Sequence, residues 1–324
     1  MKTPYEQLVV GYNPNSSDAR AVQRLVFDRL DDARIRYELM PTPSSQAEEF
    51  AEVIDDTLHE GDRLLILGGD GTYNLVINAL RDISEIERSG VELGFMAFGN
   101  RCDGAALSGR AKRDAVAMAS DHVQPVTFWP LRYRVETEEG HDDIDELALG
   151  YVTIGHVLAE GARHFNAPMT RKAIEHSPSK LLSSARVAAG YFIGNYQHFT
   201  PLPEGTIVNG EQLDPRVSDL VALNGMTMAT FMRNSKNSYA STNFEYTAVD
   251  VTHVRGLLSQ TRQALKNRGY LPTVTVDQLV VTLDAAGADS ITLQSDGEAK
   301  VLTAVSSIVI DKATEPLNVL TSLY

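Results

Sequence analysis

Apolar positions along the first 125 or so residues follow two alternating spacings. Short apolar runs predict four strands, at 8–12, 35–40, 63–67 and 93–98. Apolar residues at helical spacing predict two amphipathic helices between them, through Val22, Leu25, Val26 and Leu30 and through Phe50, Val53, Ile54 and Leu58. Strands that alternate with helices are typical of a doubly wound α/β domain, in which helices cover both faces of a parallel sheet. We therefore predict such a domain over residues 1–127.

The pattern changes after Thr127. Residues 131–136 alternate strictly between apolar and polar, as a half-exposed antiparallel strand does. Further segments read as strands at 146–154, 220–223, 279–283, 291–294 and 306–310, and as helices at 179–196 and 254–266. These patterns predict a mostly antiparallel, β-rich second domain over residues 128–305, with helical insertions.

Charge and composition narrow the function classes. Twenty-nine basic against 43 acidic residues leave a net charge of −14, which argues against broad nucleic-acid binding and general adhesion to anionic lipid. Any contact with a membrane surface must therefore be local. The chain contains one cysteine, Cys102, and no apolar run near the roughly 20 residues that span a bilayer. With no signal-peptide pattern at the N-terminus, we expect a cytoplasmic protein, at most peripheral to the membrane.

The segment Leu67–Thr72 carries the clearest chemistry in the chain. A strand, three glycines around an acid and then a helix start suit phosphate, because glycines permit positive φ and close approach of a ligand. The helix N-terminus adds N–H groups and roughly half a positive charge, and Thr72 adds a hydroxyl at the cap. Asp70 beside phosphate implies either a metal ion or a hydroxyl proton to remove. The local alternative is a tight turn in which Asp70 is an N-cap.

The longer string resembles a known signature. Gly68-Gly69-Asp70-Gly71-Thr72, followed by Asn74, Val76, Asn78 and Leu80, resembles the nucleotide-binding motif of the diacylglycerol kinase catalytic domain family, which includes bacterial lipid kinases and sphingosine kinases. NAD kinases share the shorter Gly-Gly-Asp-Gly-Thr core, and the lysine of a Walker A loop is absent. The resemblance implies ATP and Mg²⁺ as cofactors and an active site in the cleft between the two domains. It also implies that the closing strands, 306–324, return to the first domain.

Two further segments gain a role through this resemblance. Asn13-Pro14-Asn15-Ser16-Ser17 reads locally as a capping turn, whereas the family's turn at this place implies that Asn13 and Ser16 contact the nucleotide. Residues 99–105 match the family's Gly-Thr-Gly-Asn-Asp-Phe-Ala at Gly99, Asp103 and Ala105, which implies nucleotide binding by Gly99 and Asp103. Arg101 stands where the family has glycine, and it either reaches a phosphate or narrows the nucleotide cleft.

Asp296-Gly297-Glu298 lies late in the chain. Asp-Gly between strands is by itself a hairpin signal. The family carries Asp-Gly-Glu here, facing the Gly-rich loop, so the resemblance implies that Asp296 and Glu298 hold Mg²⁺ through water or deprotonate the acceptor hydroxyl.

Separately, residues 161–198 combine basic and aromatic side chains, which suits either a lipid surface or a packed helix with solvated charges.

Together these features predict an ATP-dependent lipid kinase that phosphorylates a lipid hydroxyl. Asp70 is the first candidate for the catalytic base, and Asp296 is the second. The remaining predicted nucleotide contacts are Asn13, Ser16, Gly68, Gly69, Gly71, Thr72, Asn74, Gly99 and Asp103. Two alternatives stay open: an NAD kinase-like enzyme, and a non-catalytic nucleotide-binding or regulatory protein. The sequence identifies no particular acceptor lipid, and it leaves a homodimer open.

Overall fold

The computed structural model describes most of the chain: residues 5–13, 19–42, 47–81, 83, 90–98, 104–138, 143–175, 177, 179–195, 198–224, 227–228, 232–233, 241–252, 259, 272–283 and 290–322. The chain divides into two compact units. Unit 1 comprises Met1–Pro130 and Ala313–Tyr324, and unit 2 comprises Leu131–Lys312. The chain therefore leaves unit 1 once and returns to it near the C-terminus. No helix in the described ranges is both long and apolar enough to cross a bilayer.

Unit 1 is built on a six-stranded sheet in the order β2-β1-β3-β4-β20-β5. Its strands are β1 (Leu8–Tyr12), β2 (Glu38–Pro41), β3 (Arg63–Gly68), β4 (Glu92–Ala97), β5 (Val123–Phe128) and, numbered in chain order, β20 (Leu317–Ser322). All neighbours pair in parallel except β5, which is antiparallel to β20. β3 is buried along its whole length, as expected of a central parallel strand with helices on both faces. The predicted doubly wound α/β fold is confirmed.

Short helices connect these strands. They are α1 (Ala19–Val22), which continues through a π-helical turn (Gln23–Phe27) into α2 (Asp28–Asp32), then α3 (Ala47–Thr57), α4 (Asp70–Arg81), a kinked 3₁₀ segment (Gly104–Arg113) and α5 (Ala115–Met118). Val26 and Leu30 are buried as the helical pattern predicts. On α3, Phe50 and Ile54 are buried, but Val53 is exposed. The buried stripe of α3 is therefore narrower than its apolar residues suggest.

Unit 2 holds two six-stranded antiparallel sheets and one two-stranded sheet among its described residues, which confirms the predicted antiparallel character. The first sheet, in the order β10-β9-β16-β19-β6-β7, contains β6 (Leu131–Thr137), β7 (Ile144–Ala148), β9 (Ile207–Val208), β10 (Glu211–Gln212), β16 (Gln278–Thr282) and β19 (Val305–Lys312). The second, in the order β15-β14-β11-β8-β17-β18, contains β8 (Tyr151–Gly155), β11 (Asp219–Leu223), β14 (Phe244–Val249), β15 (Val274–Val276), β17 (Ile291–Ser295) and β18 (Glu298–Leu302). The small sheet pairs β12 (Thr227–Met228) with β13 (Met232–Arg233).

The core of unit 2 lies between its two large sheets. Buried side chains from both sheets form one cluster, among them Tyr133 and Ile308 of the first and Ile154 and Leu293 of the second. The other face of the second sheet packs against α6 (Leu158–Asn166) and α8 (Lys180–Asn195), and α7 (Pro168–Glu175) contacts these two helices. Unit 2 is thus a β-sandwich with a helical layer on one side.

Two expectations about element limits differ from the structure, and a third is not tested. Residues 146–154 form two strands in different sheets, β7 and β8, because the chain turns at Leu149 and Gly150. Residues 305–312, expected among the returning strands, pair with β6 and β16 inside unit 2, so the return to unit 1 begins at Ala313. The predicted helix at 254–266 lies almost wholly outside the described residues.

Candidate functional site

The strand order of the unit 1 sheet reverses between β1 and β3. From β1 the chain moves to β2 on one side, and it then crosses to β3 on the other side of β1. Ligands of open α/β sheets bind beyond the carboxyl ends of the strands, where the strand order reverses in this way. Tyr12 pairs with Leu67 across the two strands, so Asn13 and Gly68 follow side by side at this switch point. Two segments predicted to contact a nucleotide, far apart in sequence, therefore meet at the end of neighbouring strands.

Gly68 ends β3 in a place where only glycine fits. A Cβ at Gly68 would lie 2.6 Å from the Cβ of Thr72 and 2.7 Å from its Oγ1. The sequence analysis expected glycine here because it permits positive φ. In the structure, however, Gly68 is extended, Gly71 is helical, and neither has positive φ. What glycine supplies here is close packing of the strand end against the first helical turn.

The helix that follows begins at the acid. The Tyr73 N–H donates to the Gly69 carbonyl oxygen at 3.1 Å, so Gly69 is the N-cap and Asp70 is the first residue of α4. The alternative that Asp70 is the N-cap is therefore wrong, and Thr72 lies in the first turn and not at the cap. An α-helix leaves the N–H groups of its first residues without intrahelical acceptors, here those of Asp70, Gly71 and Thr72. They lie at the positive end of the helix dipole, which suits a bound phosphate.

Tyr73 holds this loop in place through its hydroxyl group, a role that the sequence analysis did not predict. Its fully buried hydroxyl lies 2.8 Å from the Gly68 carbonyl oxygen, at the end of β3, and 2.7 Å from that of Met96, near the end of β4. The Phe98 N–H also donates to the Gly68 oxygen, at 3.0 Å. The tyrosine thus ties the ends of β3 and β4 to the start of α4. The sequence offered one sign of this role: Tyr73 and Ile77 are four residues apart and so lie on one face of α4. That spacing predicts core packing but does not show what the tyrosine hydroxyl binds.

Asp70 is nearly buried, with 7% of its surface exposed. One turn further on, Asn74 is held by Asn78, whose amide nitrogen donates to the Asn74 carbonyl oxygen at 2.9 Å and to its side-chain oxygen at 3.3 Å. The predicted contacts Asn13, Gly68, Gly69, Gly71, Thr72 and Asn74 therefore lie on β1, β3 and α4 or directly after them. Ser16, Gly99, Asp103 and the unusual Arg101 lie outside the described residues.

Asp296 is placed very differently in unit 2. Asp296 and Gly297 form a two-residue turn between β17 and β18, with φ of +45° and +94°, so the hairpin interpretation is confirmed. Its carboxylate, 4% exposed, accepts N–H groups from Leu149 at 2.5 Å, Gly150 at 2.8 Å and Tyr151 at 3.2 Å. Both oxygens are therefore engaged by the β7–β8 turn.

These contacts do not fit the Mg²⁺ role expected of Asp296, and the role expected of Glu298 stays a prediction. A carboxylate that binds a metal directly or through water needs free lone pairs facing open space, whereas the Asp296 oxygens accept backbone N–H groups. Glu298 is exposed on β18. Within the described part of the chain, no group of three or more His, Cys, Asp or Glu side chains is arranged to hold a metal ion.

A lysine that sequence reasoning also missed approaches the same turn. Asn224, directly after β11, donates its side-chain N–H to the Leu149 carbonyl oxygen at 2.9 Å, and Lys312 Nζ donates to the Asn224 side-chain oxygen. Burial lowers the pKa of Lys312 to about 8. The two-residue period of β19 was the available signal, since it places Lys312 on the same strand face as the buried Ile308 and Ile310.

Comparisons with known proteins agree with the geometry of unit 1. Residues 7–125 match the family model of the diacylglycerol kinase catalytic domain. No curated protein matches the chain.

Solved structures from Bacillus anthracis strain Sterne resemble the whole chain. One is described as "a putative diacylglycerol kinase", with a TM-score of 0.63, 15% identity and coverage of 97% of this chain and 94% of that one. A second with the same description gives a TM-score of 0.60, 14% identity and coverage of 96% of each chain. A third, described as a diacylglycerol kinase, gives 0.59 at 13% identity, with 97% of this chain and 96% of that one covered. Identities this low show a shared fold. Residues 7–125 therefore resemble the diacylglycerol kinase catalytic domain, and the chain shares the fold of these solved structures.

Proposed function

We propose that this chain is a lipid kinase that transfers the terminal phosphate of ATP to the hydroxyl group of a lipid. The observation that carries the proposal is the Gly68–Thr72 loop, which begins helix α4 at the switch point of the unit 1 sheet. The family match of residues 7–125 supplies the reaction class, and the description of the similar solved structures suggests a lipid as acceptor.

The loop suits an anionic phosphate donor. The first N–H groups of α4 point out of the helix toward its N-terminal side, and they have no intrahelical acceptor. Because Tyr73 ties Gly68 and Met96 together, these donors are fixed before any ligand binds. Phosphoryl transfer depends mostly on such positioning and on charge stabilisation.

Asp70 is our candidate for the catalytic base. The acceptor oxygen forms a bond to the terminal phosphorus while the bond from that phosphorus to the bridging oxygen of ADP breaks, and the hydroxyl proton passes to the Asp70 carboxylate. The Asp296 carboxylate already accepts three backbone N–H groups, so it is not proposed to hold a metal ion. Mg²⁺ enters the assay as the complex of ATP.

The test is transfer of labelled terminal phosphate from ATP into a lipid extract, with NAD⁺ as a second acceptor. We expect a labelled lipid, and Asp70→Asn should lower turnover about a hundredfold or more while ATP binding persists. Asp62→Asn is the matched control: Asp62 is also buried, but it lies at the other end of β3, where it accepts the His59 N–H at 2.9 Å. Its turnover per folded molecule should equal that of the unaltered chain.

Three results would overturn parts of this proposal. Labelled NADP⁺ without labelled lipid would replace the lipid with NAD⁺ as acceptor. ATP binding without transfer to either acceptor would show a nucleotide-binding protein that is not a kinase. Near-normal turnover in Asp70→Asn would remove Asp70 as the base.

A further inference from the structure

Helix α4 carries a buried asparagine behind the loop that is proposed to bind phosphate. Asn78 is 5% exposed and lies among the buried side chains of Val76, Ile77 and Ala79. Asparagine is a poor helix former, and its amide group is costly to remove from water unless it is hydrogen-bonded. An apolar residue would serve packing better at this position, so the contacts of the amide decide what Asn78 does.

These contacts fix the orientation of two side chains. The Asn78 amide nitrogen lies 2.9 Å from the main-chain carbonyl oxygen of Asn74, which can only accept, so this end of the Asn78 amide is the donor. The same nitrogen lies 3.3 Å from the end of the Asn74 side chain, which must therefore be the Asn74 amide oxygen. The Asn74 amide nitrogen consequently faces away from Asn78.

The side away from Asn78 is the side of the helix start. The Cα–Cβ bonds of an α-helix tilt toward its N-terminus, and Asn74 lies one turn, about 5.4 Å, behind Asp70 on nearly the same helix face. Asn74 is partly exposed, unlike Asn78. Its nitrogen is thus directed toward the end of the helix where the N–H groups of Asp70, Gly71 and Thr72 have no intrahelical acceptor.

We propose that Asn78 is a positioning residue for the phosphate groups of the nucleotide, because it holds the Asn74 amide with its nitrogen, and not its oxygen, toward them. An unrestrained amide can turn by 180° and present an oxygen, which repels a phosphate. The inference rests on the proposed function only in taking this loop as the nucleotide site. It does not depend on which acceptor receives the phosphate, nor on transfer itself.

A similar bond elsewhere in the chain shows what is particular to Asn78. Asn195 Nδ2 donates to the carbonyl oxygen of Tyr191, four residues earlier on α8, at 2.8 Å. A bond of this kind to the main chain is ordinary for an asparagine. At Asn78 the residue four positions earlier is itself an asparagine, and a second bond reaches its side chain. Only that second bond orients a group beside the loop.

The test is titration of the full chain with ATP and with adenosine. Asn78→Asp keeps the size of the side chain, but its carboxylate accepts and cannot donate, so the Asn74 amide turns its nitrogen toward the carboxylate and its oxygen toward the phosphates. We expect the affinity for ATP to fall about tenfold, whereas the affinity for adenosine, which has no phosphate, stays within about twofold. In phosphate transfer, KM for ATP should rise while kcat stays within about threefold.

Three further variants separate orientation from general damage. Asn78→Leu removes the donor without adding charge and leaves Asn74 able to turn either way, so ATP affinity should fall only about threefold. In a chain that already carries Asn74→Ala, Asn78→Asp should change ATP affinity less than about twofold, because the group through which it acts is gone. Asn195→Asp makes the same change at the similar bond on α8 and should bind ATP as the unaltered chain does.

The proposal is overturned if Asn78→Asp binds ATP normally, if it weakens ATP and adenosine equally, or if it acts as strongly in the Asn74→Ala chain. Should Asn78→Asp fail to fold, as judged by circular dichroism, Asn78→Leu decides instead, since equal losses for ATP and adenosine would again overturn the proposal. A chain with the expected ATP affinities that phosphorylates no lipid would contradict the proposed function and leave the role of Asn78 intact. An unaltered chain that binds no ATP would overturn both.

Discussion

Two of the chain's Asp-Gly pairs, Asp70-Gly71 in unit 1 and Asp296-Gly297 in unit 2, lie where a strand ends, and both aspartates are nearly buried. Asp70, 7% exposed, begins helix α4 at the carboxyl edge of a parallel sheet. Asp296, 4% exposed, occupies a hairpin turn and accepts three backbone N–H groups from residues 149–151. The comparison teaches that burial of an acid does not by itself indicate catalysis. The place of the acid in the fold adds what burial leaves out: Asp70 lies beyond the end of a parallel strand, where ligands of such sheets bind, and Asp296 lies in a hairpin turn.

The difference follows from which N–H groups lie near each acid. At Asp70 they belong to a helix N-terminus, a position that suits an anion. At Asp296 they belong to a turn of the same unit, and the side chain itself is the anion that they bind. The first arrangement suits a functional site, and the second stabilises the fold.

The largest expected effect is on stability at Asp296. Asp296→Ala leaves three buried N–H groups without their acceptor, and we expect a loss of about 3–5 kcal/mol in the free energy of unfolding. Asp70→Ala should cost at most about 1 kcal/mol, as expected for an acid at a helix start. Urea unfolding of both variants measures the difference. Equal stability of the two variants would contradict the conclusion that Asp296 stabilises the fold more than Asp70 does.

A second effect concerns the two glycines of neighbouring strands β1 and β3. Gly68→Ala places a Cβ 2.6 Å from Thr72, so we expect a loss of about 1–3 kcal/mol and weaker ATP binding. Gly11→Ala meets its nearest atom, Met40 Cε, at 3.4 Å, and should cost less than about 1 kcal/mol. Thermal unfolding and ATP titration of the two alanine variants measure these losses of stability and of ATP affinity. A Gly68→Ala variant that binds ATP normally would separate the tight packing from phosphate binding.

A pH effect should follow from the burial of Asp219, which, like Asp296, accepts backbone N–H groups. One Asp219 oxygen accepts the N–H groups of Val157 and Leu158, but the other is buried without a hydrogen-bond partner among the described residues. Burial raises the pKa of Asp219 from 3.8 to about 6. Its contribution to stability is therefore full below pH 3.8 and is lost as the pH rises through about 6.

Asp219→Asn removes this titration. Relative to that variant, the unaltered chain should gain about 1 kcal/mol in stability between pH 7 and pH 5, as measured by urea unfolding at both values. A difference that stays constant over this range, or that shrinks toward pH 5, would contradict the assignment.

The smallest expected effect tests the backbone of the Asp296 turn. Gly297 has φ of +94°, and nothing in the described structure lies within 4 Å of a Cβ placed there, so Gly297→Ala should cost about 1 kcal/mol through strain alone. Gly210, with φ of +84° and equally open surroundings in the β9–β10 turn, is the control. The two alanine variants should shift the melting temperature alike. A much larger shift at Gly297 would indicate a contact that the structure does not contain.

The local parts of this fold were predictable because they depend on periodicity. The strands at 8–12 and 63–67, the helix near 180–195 and the change to antiparallel patterns after Thr127 all follow from spacing within about ten residues. The Gly-rich loop was equally predictable, since a strand, glycines and a helix start are adjacent in sequence. The apolar run at 146–154 misled this reasoning, because a sharp turn inside it divides the run between two sheets.

The fold class, the two kinds of domain and the loop at Asp70 could be predicted from the amino-acid sequence, since all of these follow from neighbouring residues. The partners of buried polar groups became known only from the folded structure. The partners of Asp296 lie 145 to 147 residues away, and those of the buried Arg63 include Glu92, at 2.6 Å across two strands. The physical reason is that a side chain's charge shows in sequence, whereas the hydrogen-bond partner that engages it depends on strand pairing between distant segments.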